Sequence, residues 1–380
     1  MYVHGERLSE EQLNKLVELW RLQDCLLFRL RVSKFDYDNT DFERKVAHYC
    51  RADALPGILK DGLKLCSLSS ANDTTEGKRF AFFVGRAIDP MFDEKGEKGK
   101  KFVEYADNHA EDRLVLQCSF STRIDDLNQF RLYGRDSVVG GEGTGLCLVL
   151  NMTYFANQYA DAIPTDRSVY CRQIERANEN FDNVLQRGVE SDDDGSRLPL
   201  YWVLYYDTNR DVFYYTPCLR EMPFCINPGD KRNKRAAVIY KEARDNQQGL
   251  QKLMERVRNV FADLEKLEVR DLGWDLCIYL RHLIKDAAFR DEREMRVMEL
   301  CSLDNADAQI LHRNGSLSIP YCRLVEKDKF SDLEKVIAGP RVKNMSRLRE
   351  LMRHTIRSEA ILRTYGPKDK DVVQSDVPLA

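Results

Sequence analysis

The chain of 380 residues carries 59 lysines and arginines against 62 aspartates and glutamates, which gives a formal net charge of −3. Hydrophobic residues make up 43% and aromatic residues 10% of it, enough apolar surface to offset the conformational entropy lost on folding. A chain that is disordered throughout is therefore excluded. The balanced charge also excludes a histone-like protein, which binds nucleic acid through an overall positive field.

The 11 cysteines are spread along the chain, and Cys218 and Cys225 are the closest pair. Neither a Cys-x-x-Cys motif nor a Cys/His group with the spacing of a structural zinc site occurs, a pattern typical of reduced, buried thiols in a cytosolic protein. The N-terminal sequence MYVHGERLSEEQ lacks the order of charges and apolar residues of a signal peptide, and no apolar run reaches the roughly 18 residues of a membrane span. We expect a cytoplasmic protein without membrane contact, and delivery into a target cell by another secretion signal stays open.

A long amphipathic helix is predicted near the N-terminus, where Ser9 and Gln12 have the spacing of a capping box. This helix forms an N-terminal helical extension, residues 1–46. Hydrophobic periodicity and turn residues predict the elements that follow it. They are a strand and a helix within 47–62, a strand or loop at 63–68, a strand at 114–120, a helix at 127–131, a strand at 146–150, a hairpin at 198–215, helices at 247–265 and 272–288, strands at 294–300, 316–325 and 336–338, and a helix at 344–357.

Helices placed between antiparallel strands predict an α+β fold with a mixed or antiparallel sheet at its core, surrounding helices and a long helical insertion. The length allows two or three domains of ordinary size, but no cut yields two complete cores. We therefore expect one catalytic-like domain over residues 47–366, with an insertion at about 153–283 and a flexible tail over 367–380.

Two segments suggest phosphate contacts but favour simpler interpretations. Four glycines lie between positions 140 and 145, and successive backbone N–H groups can hold an anion. Neither a Lys-Ser or Lys-Thr pair nor a helix follows them, so a tight turn into a buried strand is the better interpretation. The basic run KRNKR at 231–235 is interpreted as a solvated loop, because the chain as a whole is slightly acidic.

Polar residues follow His48 and Tyr49, which end a predicted strand. A lone histidine is more often a satisfied structural group than a catalytic one. A polar string about twenty residues later either caps a helix that begins near Asp73 or lines a site. Its members are Ser67, Ser69, Ser70, Asn72, Asp73 and Glu76.

Two carboxylates and an arginine alternate in the sequence FRDEREMRV, residues 289–297. Because successive side chains of a strand point to opposite faces, Glu292, Glu294 and Arg296 would project on one side. Like charges this close raise the pKa of a carboxyl group, and an arginine within reach compensates. A functional site and a charged, solvated edge strand both fit this spacing.

Taken in order, these and further short motifs resemble a bacterial domain family of unknown function, number 2971. The agreement spans about positions 47 to 300. The blocks are His48-Tyr49, then Ser69 with Asn72-Asp73 and Glu76, then Cys118-Ser119-Phe120-Ser121, then NQFRLYG at 128–134, then Gly145-Leu146, and last Glu292-x-Glu294-x-Arg296.

That family is similar, at a distance, to the ADP-ribosyltransferases, whose sites use a first-strand His or Arg, a serine-containing strand and a late Glu or Glu-x-Glu. The resemblance implies NAD as a substrate and an ADP-ribosyltransferase-like sheet core. It implies that Glu294 bonds the 2′-hydroxyl of the nicotinamide ribose and stabilises the oxocarbenium ion, while Glu292 orients or activates the acceptor. The NAD-binding residues that it implies are His48 on a ribose hydroxyl, Tyr49 or Tyr133 on the nicotinamide, and Ser69, Asn72, Ser119, Ser121 and Arg296 around them.

The chemistry is coherent with this resemblance, because breaking the N-glycosidic bond of NAD develops positive charge that a fixed carboxylate stabilises. The leading hypothesis is an NAD-dependent ADP-ribosyltransferase-like enzyme that modifies a protein or nucleic-acid acceptor and needs no metal. One alternative is a non-catalytic defence or effector module that binds a nucleotide or a partner. The other is a metal-dependent phosphoryl enzyme that uses Asp73, Glu292 and Glu294.

Overall fold

The computed structural model describes residues 2–3, 6–32, 45–67, 77–88, 113–133, 141–155, 198–215, 231–302, 309–310, 317–321, 332–358 and 372–377. The strands are β1 (Tyr2–Val3), β2 (Glu6–Arg7), β3 (Lys45–Cys50), β4 (Leu63–Ser67), β5 (Arg113–Ser121), β6 (Leu146–Asn151), β7 (Leu200–Trp202), β8 (Leu204–Asp207), β9 (Val212–Tyr215), β10 (Ile284–Asp286), β11 (Glu294–Ser302), β12 (Gln309–Ile310), β13 (Leu317–Tyr321), β14 (Leu333–Ala338) and β15 (Val372–Gln374). The α-helices are α1 (Glu10–Leu30), α2 (Leu55–Asp61), α3 (Lys78–Ile88), α4 (Leu127–Tyr133), α5 (Lys231–Lys266), α6 (Arg270–Leu276), α7 (Ile278–Arg281) and α8 (Met345–Ser358).

The main sheet is organised around β5. Along its whole length β5 pairs antiparallel with β11, so β3 and β4 share its other edge. The sheet order is β12-β13-β4-β5-β3-β6-β14-β15; off this path, β11 pairs with β5, and β7 pairs with β11. All of these pairs are antiparallel except β14 with β15, so the predicted α+β class with a mixed sheet is confirmed.

A second, three-stranded sheet begins where β7 ends. The predicted strand over 198–206 is wrong in one respect, because it divides at Val203 into β7, which pairs with β11, and β8, which pairs with β10. The backbone N–H of Val203 donates to the carbonyl oxygen of Glu294 at 3.1 Å. A continuous apolar run carries no signal for the point at which a chain changes sheets. The predicted turn between β8 and β9 is confirmed, and Asp207 accepts backbone hydrogen bonds within it.

Helix α1 is part of the core and does not form a separate extension. Ser9 and Gln12 make the predicted capping box, with hydrogen bonds of 3.2 and 2.8 Å between each side chain and the other residue's backbone N–H. The buried leucines of α1 pack with the apolar face of α5 in one cluster that extends to the sheet. These α5 residues have helical spacing and are Leu250, Met254, Val257, Phe261 and Leu264.

Helix α5 begins well before the predicted start at 247. It includes the basic run 231–235, so the interpretation of that run as a solvated loop is wrong. Lys, Arg and Glu are good helix formers, and neither glycine nor proline occurs between 231 and 248 to end a helix. Within the described residues, no helix is both long and apolar enough to cross a membrane.

The predicted helix over 272–288 is also wrong in its second half. Two short helices, α6 and α7, occupy its first part. The strand β10 and a 3₁₀ helix, Ala287–Glu292, replace the rest. Parallel pairing of β10 with β8 decides the conformation here, because tertiary pairing overrides a weak local helix preference. This pairing places Lys285 on a strand.

The flexible tail predicted for 367–380 is wrong for the three residues of β15. This strand extends the main sheet beside β14, and the backbone N–H of Ser375 donates to the carbonyl oxygen of Ala338 at 2.8 Å. The prediction rested on the polar composition of the tail. Backbone hydrogen bonds to a neighbouring strand do not depend strongly on that composition.

The described part of the glycine cluster, residues 141–145, forms the predicted turn before β6. Gly143 has a φ of 75°, a conformation that favours glycine. The turn lies close to the end of β14, where the backbone N–H of Gly339 donates to the carbonyl oxygen of Gly145 at 2.8 Å. A Cβ atom on Gly339 would collide with the backbone carbonyl of Gly143.

We expect Gly339→Ala to lower the free energy of unfolding by about 1–3 kcal/mol, because two backbone segments must separate to admit the methyl group. Urea denaturation measures the change. Gly57→Ala is the matched control, because a Cβ atom there meets no heavy atom within 4 Å and alanine favours the helix. Equal stability of the two variants would contradict the close approach.

Candidate functional site

A pocket of about 190 Å³ opens where β3, the end of β5, α4 and the segment before β11 meet. It brings together seven residues that the sequence singles out. Of the others, Arg296 lies outside the pocket lining, and Ser69 and Asn72 lie outside the described residues. The lining residues are Ala47, His48, Tyr49, Ser119, Phe120, Ser121, Gln129, Tyr133, Glu292 and Glu294.

The register between β11 and β5 builds one wall of the pocket. Glu294 lies opposite Ser121, and Arg296 lies opposite Ser119. Since alternate residues of paired strands share a face, these four side chains project on the same side of the sheet. The prediction that Glu294 and Arg296 project on the same side of a strand is therefore confirmed.

Glu292 reaches the pocket by a different route from the predicted strand alternation. It is the last residue of the 3₁₀ helix, and Arg293 then adopts a left-handed conformation with a φ of 47° before β11 begins. The hydroxyl of Ser121 donates to the carbonyl oxygen of Glu292 at 2.6 Å and holds this turn against the end of β5. The local spacing could not show that the strand begins only after Glu292.

Glu294 is fixed by Arg296 directly behind it. The guanidinium donates from Nε to Oε1 at 2.8 Å and from Nη2 to Oε2 at 3.1 Å. Arg296 has no exposed surface, so it acts as a buried counter-charge, and nothing places it against a ligand in the pocket. Burial alone would raise the pKa of Glu294, but Arg296 and Lys285 outweigh it and hold that pKa well below its ordinary value of 4.5. Glu294 is therefore ionised at neutral pH.

Lys285 is a site residue that the sequence did not indicate. Its Nζ lies 2.6 Å from Oε2 of Glu292 and 3.0 Å from Oε2 of Glu294, and the residue is only 3% exposed. The ammonium group also lies 4.9 Å from the ring centroid of Phe289. Burial would lower the pKa of Lys285, but the two carboxylates outweigh it and raise the pKa above 10.5. In the sequence, Lys285 is a single lysine after a largely apolar run. The helix predicted over 272–288 did not place it near Glu292 or Glu294.

Glu292 has the opposite pKa shift from Glu294. Burial raises its pKa above the ordinary value of 4.5, and the attraction of Lys285 only partly compensates. The hydroxyl of Tyr133 donates to Oε1 of Glu292 at 3.0 Å. The pocket therefore holds one carboxylate that stays ionised and a second that titrates closer to neutrality.

His48 is neutral, because burial lowers its pKa below 6.5. Its Nδ1 lies 3.0 Å from the carbonyl oxygen of Ser119. A carbonyl oxygen only accepts, so Nδ1 carries the proton and Nε2 is left as an acceptor. The resemblance implies that His48 contacts a ribose hydroxyl of NAD, and Nε2 could accept a hydrogen bond from that hydroxyl.

Tyr49 lines the pocket, but its hydroxyl is used within the protein. It donates to the carbonyl oxygen of Arg123 at 2.7 Å and accepts from the backbone N–H of Asp126 at 2.9 Å. Its ring packs edge-on against Phe130. These contacts fix the turn between β5 and α4, so Tyr49 can offer a ligand only its ring.

The carboxylates are bridged by Lys285 in the position that a bridging cation would take. A metal ion on Glu292 and Glu294 would have to displace this ammonium group. Among the residues described, no group of three or more His, Cys, Asp or Glu side chains has the arrangement of a metal site. Asp73, the third ligand expected in the phosphoryl-enzyme alternative, lies outside them.

No family model, curated protein or solved structure matches the chain. The resemblance to family 2971 and to the ADP-ribosyltransferases therefore stays a prediction. The evidence that bears on function is therefore the architecture of the sheet and the residues of the pocket.

We expect Lys285→Met to lower the free energy of unfolding by about 3 kcal/mol or more at neutral pH, because it leaves two buried carboxylates without their shared cation. Loss of Lys285 also raises the pKa of Glu292 further. A carboxyl group with a raised folded-state pKa costs stability above that pKa, and the cost disappears as the pH falls through it. The deficit of Lys285→Met should therefore shrink as the pH falls from neutral towards 4.5, measured by urea denaturation.

Lys266→Met is the matched control. The Lys266 side chain is 75% exposed and pairs with Asp263 at 3.3 Å, a surface contact that contributes little. A Lys285→Met deficit that equals this control, or that grows as the pH falls, would contradict the buried network.

Proposed function

We propose that the chain is an NAD-dependent ADP-ribosyltransferase-like enzyme, related to family 2971, whose main sheet is a core of that type. The observation that carries the proposal is a pocket with two carboxylates whose pKa values are shifted in opposite directions. Environments that separate the pKa values of paired acids are typical of sites in which each acid has its own role. The acceptor is a protein or a nucleic acid, modified in the cytoplasm of the producing cell or after delivery into a target cell.

Glu294 stabilises the reacting ribose. When the bond between C1′ and the nicotinamide nitrogen breaks, the nitrogen keeps the electron pair and C1′ gains positive charge. A carboxylate already held in place by Arg296 needs no reorganisation to stabilise this charge. One such group contributes about a hundredfold in rate.

Glu292 activates the acceptor. Nicotinamide leaves as a neutral molecule and needs no proton, so the second carboxyl group is available as a base. The acceptor forms a new bond to C1′, and its proton passes to Glu292. The raised pKa of Glu292 makes it a stronger base near neutral pH than an exposed glutamate. With water as the acceptor, the same steps give NAD hydrolysis.

One observation favours a second candidate, a non-catalytic module that binds a nucleotide or a partner. The Glu294 carboxylate accepts hydrogen bonds from Arg296 and Lys285, and the Ser119 hydroxyl nearby also lowers its pKa. These donors satisfy most of its lone pairs, as in a structural ion network. Turnover decides between the two candidates, because only the enzyme releases nicotinamide from NAD.

The direct experiment incubates the purified protein with NAD, then follows nicotinamide release and the transfer of label to macromolecules in a lysate. We expect release by the wild type and a loss of about a hundredfold or more in Glu294→Gln. Glu299→Gln is the control, because Glu299 lies on the same strand but outside the pocket lining.

Melting temperatures accompany these measurements, since Glu294→Gln also removes the partner of Arg296. If that variant fails to fold, Glu292→Gln, which keeps the Glu294–Arg296 pair, is the second test and should reduce label transfer. A wild type that releases no nicotinamide and shows no NAD-dependent rise in melting temperature would overturn the proposal. Binding without turnover would support the non-catalytic module.

The pH dependence of nicotinamide release tests the role of Glu292. A general base must be deprotonated, so the rate should fall as the pH falls through the raised pKa of Glu292. The hydrogen bond from Tyr133 lowers that pKa, so Tyr133→Phe should move the acid limb of the profile to higher pH. An acid limb that does not move would contradict the assignment of Glu292.

A further inference from the structure

Gln129 is a buried polar residue that the proposed mechanism does not use. It is 4% exposed and lines the pocket from α4. Its backbone N–H donates to Oδ1 of Asp126 at 3.2 Å, but its side-chain amide makes no hydrogen bond to any residue that the structure describes. The amide is accessible from the pocket, so its donor and acceptor are available to a ligand.

Helix α4 places Gln129 in the same wall of the pocket as Tyr133. Gln129 and Tyr133 are four positions apart, so they lie on the same face of the helix, about one turn from each other. The Tyr133 hydroxyl reaches the Glu292 carboxylate at 3.0 Å. Gln129 therefore belongs to the wall that faces the paired glutamates.

Most other side-chain donors of the pocket are already used within the described part of the protein. Ser121 donates to the Glu292 carbonyl, Tyr49 to the Arg123 carbonyl and Tyr133 to the Glu292 carboxylate. His48 donates from Nδ1 to the Ser119 carbonyl, and the Ser119 hydroxyl lies close enough to the Glu294 carboxylate to lower its pKa. Among these lining side chains, Gln129 supplies an amide donor that no described residue uses.

The acceptors of the pocket are more numerous, namely the two carboxylates and Nε2 of His48. A ligand that fits this set carries hydroxyl groups for the acceptors and one carbonyl oxygen for the Gln129 amide. A carboxylate on the ligand would meet two glutamates and the oxygen of Gln129, so an anion is disfavoured at this place.

We infer that Gln129 is a specificity residue that recognises an uncharged planar carboxamide by a paired hydrogen bond. Its NH₂ group donates to the carboxamide oxygen of the ligand, and its Oε1 accepts from the carboxamide NH₂. This inference rests on the proposed function, in which the carboxamide is that of the nicotinamide ring. Removing one partner from a buried hydrogen-bonded pair changes affinity by about tenfold.

The test measures equilibrium binding of three free bases by titration calorimetry, because none of them is consumed. Nicotinamide has the complete amide, 3-acetylpyridine keeps only the carbonyl oxygen, and nicotinic acid carries a carboxylate. We expect the wild type to bind nicotinamide about tenfold more tightly than 3-acetylpyridine, and nicotinic acid most weakly.

Gln129→Met keeps the side-chain length and removes the amide, so it should bind nicotinamide about tenfold less tightly and no longer distinguish it from 3-acetylpyridine. Asn128→Leu is the matched control, because Asn128 is the neighbouring amide residue, exposed on the same helix and outside the pocket lining. Gln129→Leu replaces Gln129→Met if the latter lowers the melting temperature.

The failure of this inference can be told apart from the failure of the proposed function. If the wild type releases nicotinamide from NAD but Gln129→Met keeps the wild-type preference among the three bases, the inference alone is overturned. If the wild type neither releases nicotinamide nor binds any of the bases, both are overturned. Loss of the preference in Gln129→Met, with the preference kept in Asn128→Leu, supports the inference.

Discussion

The buried pair of Glu294 and Arg296 constrains the whole site. Two charged groups this deep in the protein must face each other, because either one alone would be strongly destabilising. A shift of one residue between β11 and β5 would turn the pair to the opposite face, where Met295 and Val297 now lie buried. The pair therefore fixes the register that places Glu294 beside Ser119 and Ser121.

The supports of this pair come from the segment expected as an insertion, residues 153–283, and from the strand that directly follows it. At Val203 the chain leaves the main sheet, and β8 then lies beside β10. From β8, the hydroxyl of Tyr205 accepts the backbone N–H of Glu294 at 2.7 Å, and from β10, Lys285 bridges the two glutamates. The small sheet thus holds the start of β11 in place and supplies the positive charge that compensates Glu292 and Glu294.

The parts of the structure that the sequence predicted are those set by local interactions. The capping box at Ser9, the end of α2 at Gly62 and the alternation of Glu294 with Arg296 each depend on residues a few positions apart. Lys285 and Gln129 could not be found in this way, because their importance comes from the pairing of distant segments. The strand at 372–374 was missed for the same reason, since β14 supplies its hydrogen bonds.

On the proposed function, the charge balance of the network couples the two glutamate roles. With Glu292 protonated, Lys285 and Arg296 leave the network with one excess positive charge, which disfavours an oxocarbenium ion nearby. Ionisation of Glu292 removes that excess and at the same moment creates the base that the acceptor needs. A single titration therefore prepares both charge stabilisation and acceptor activation, and the enzyme needs the lysine so that both carboxylates can be ionised together in a buried place.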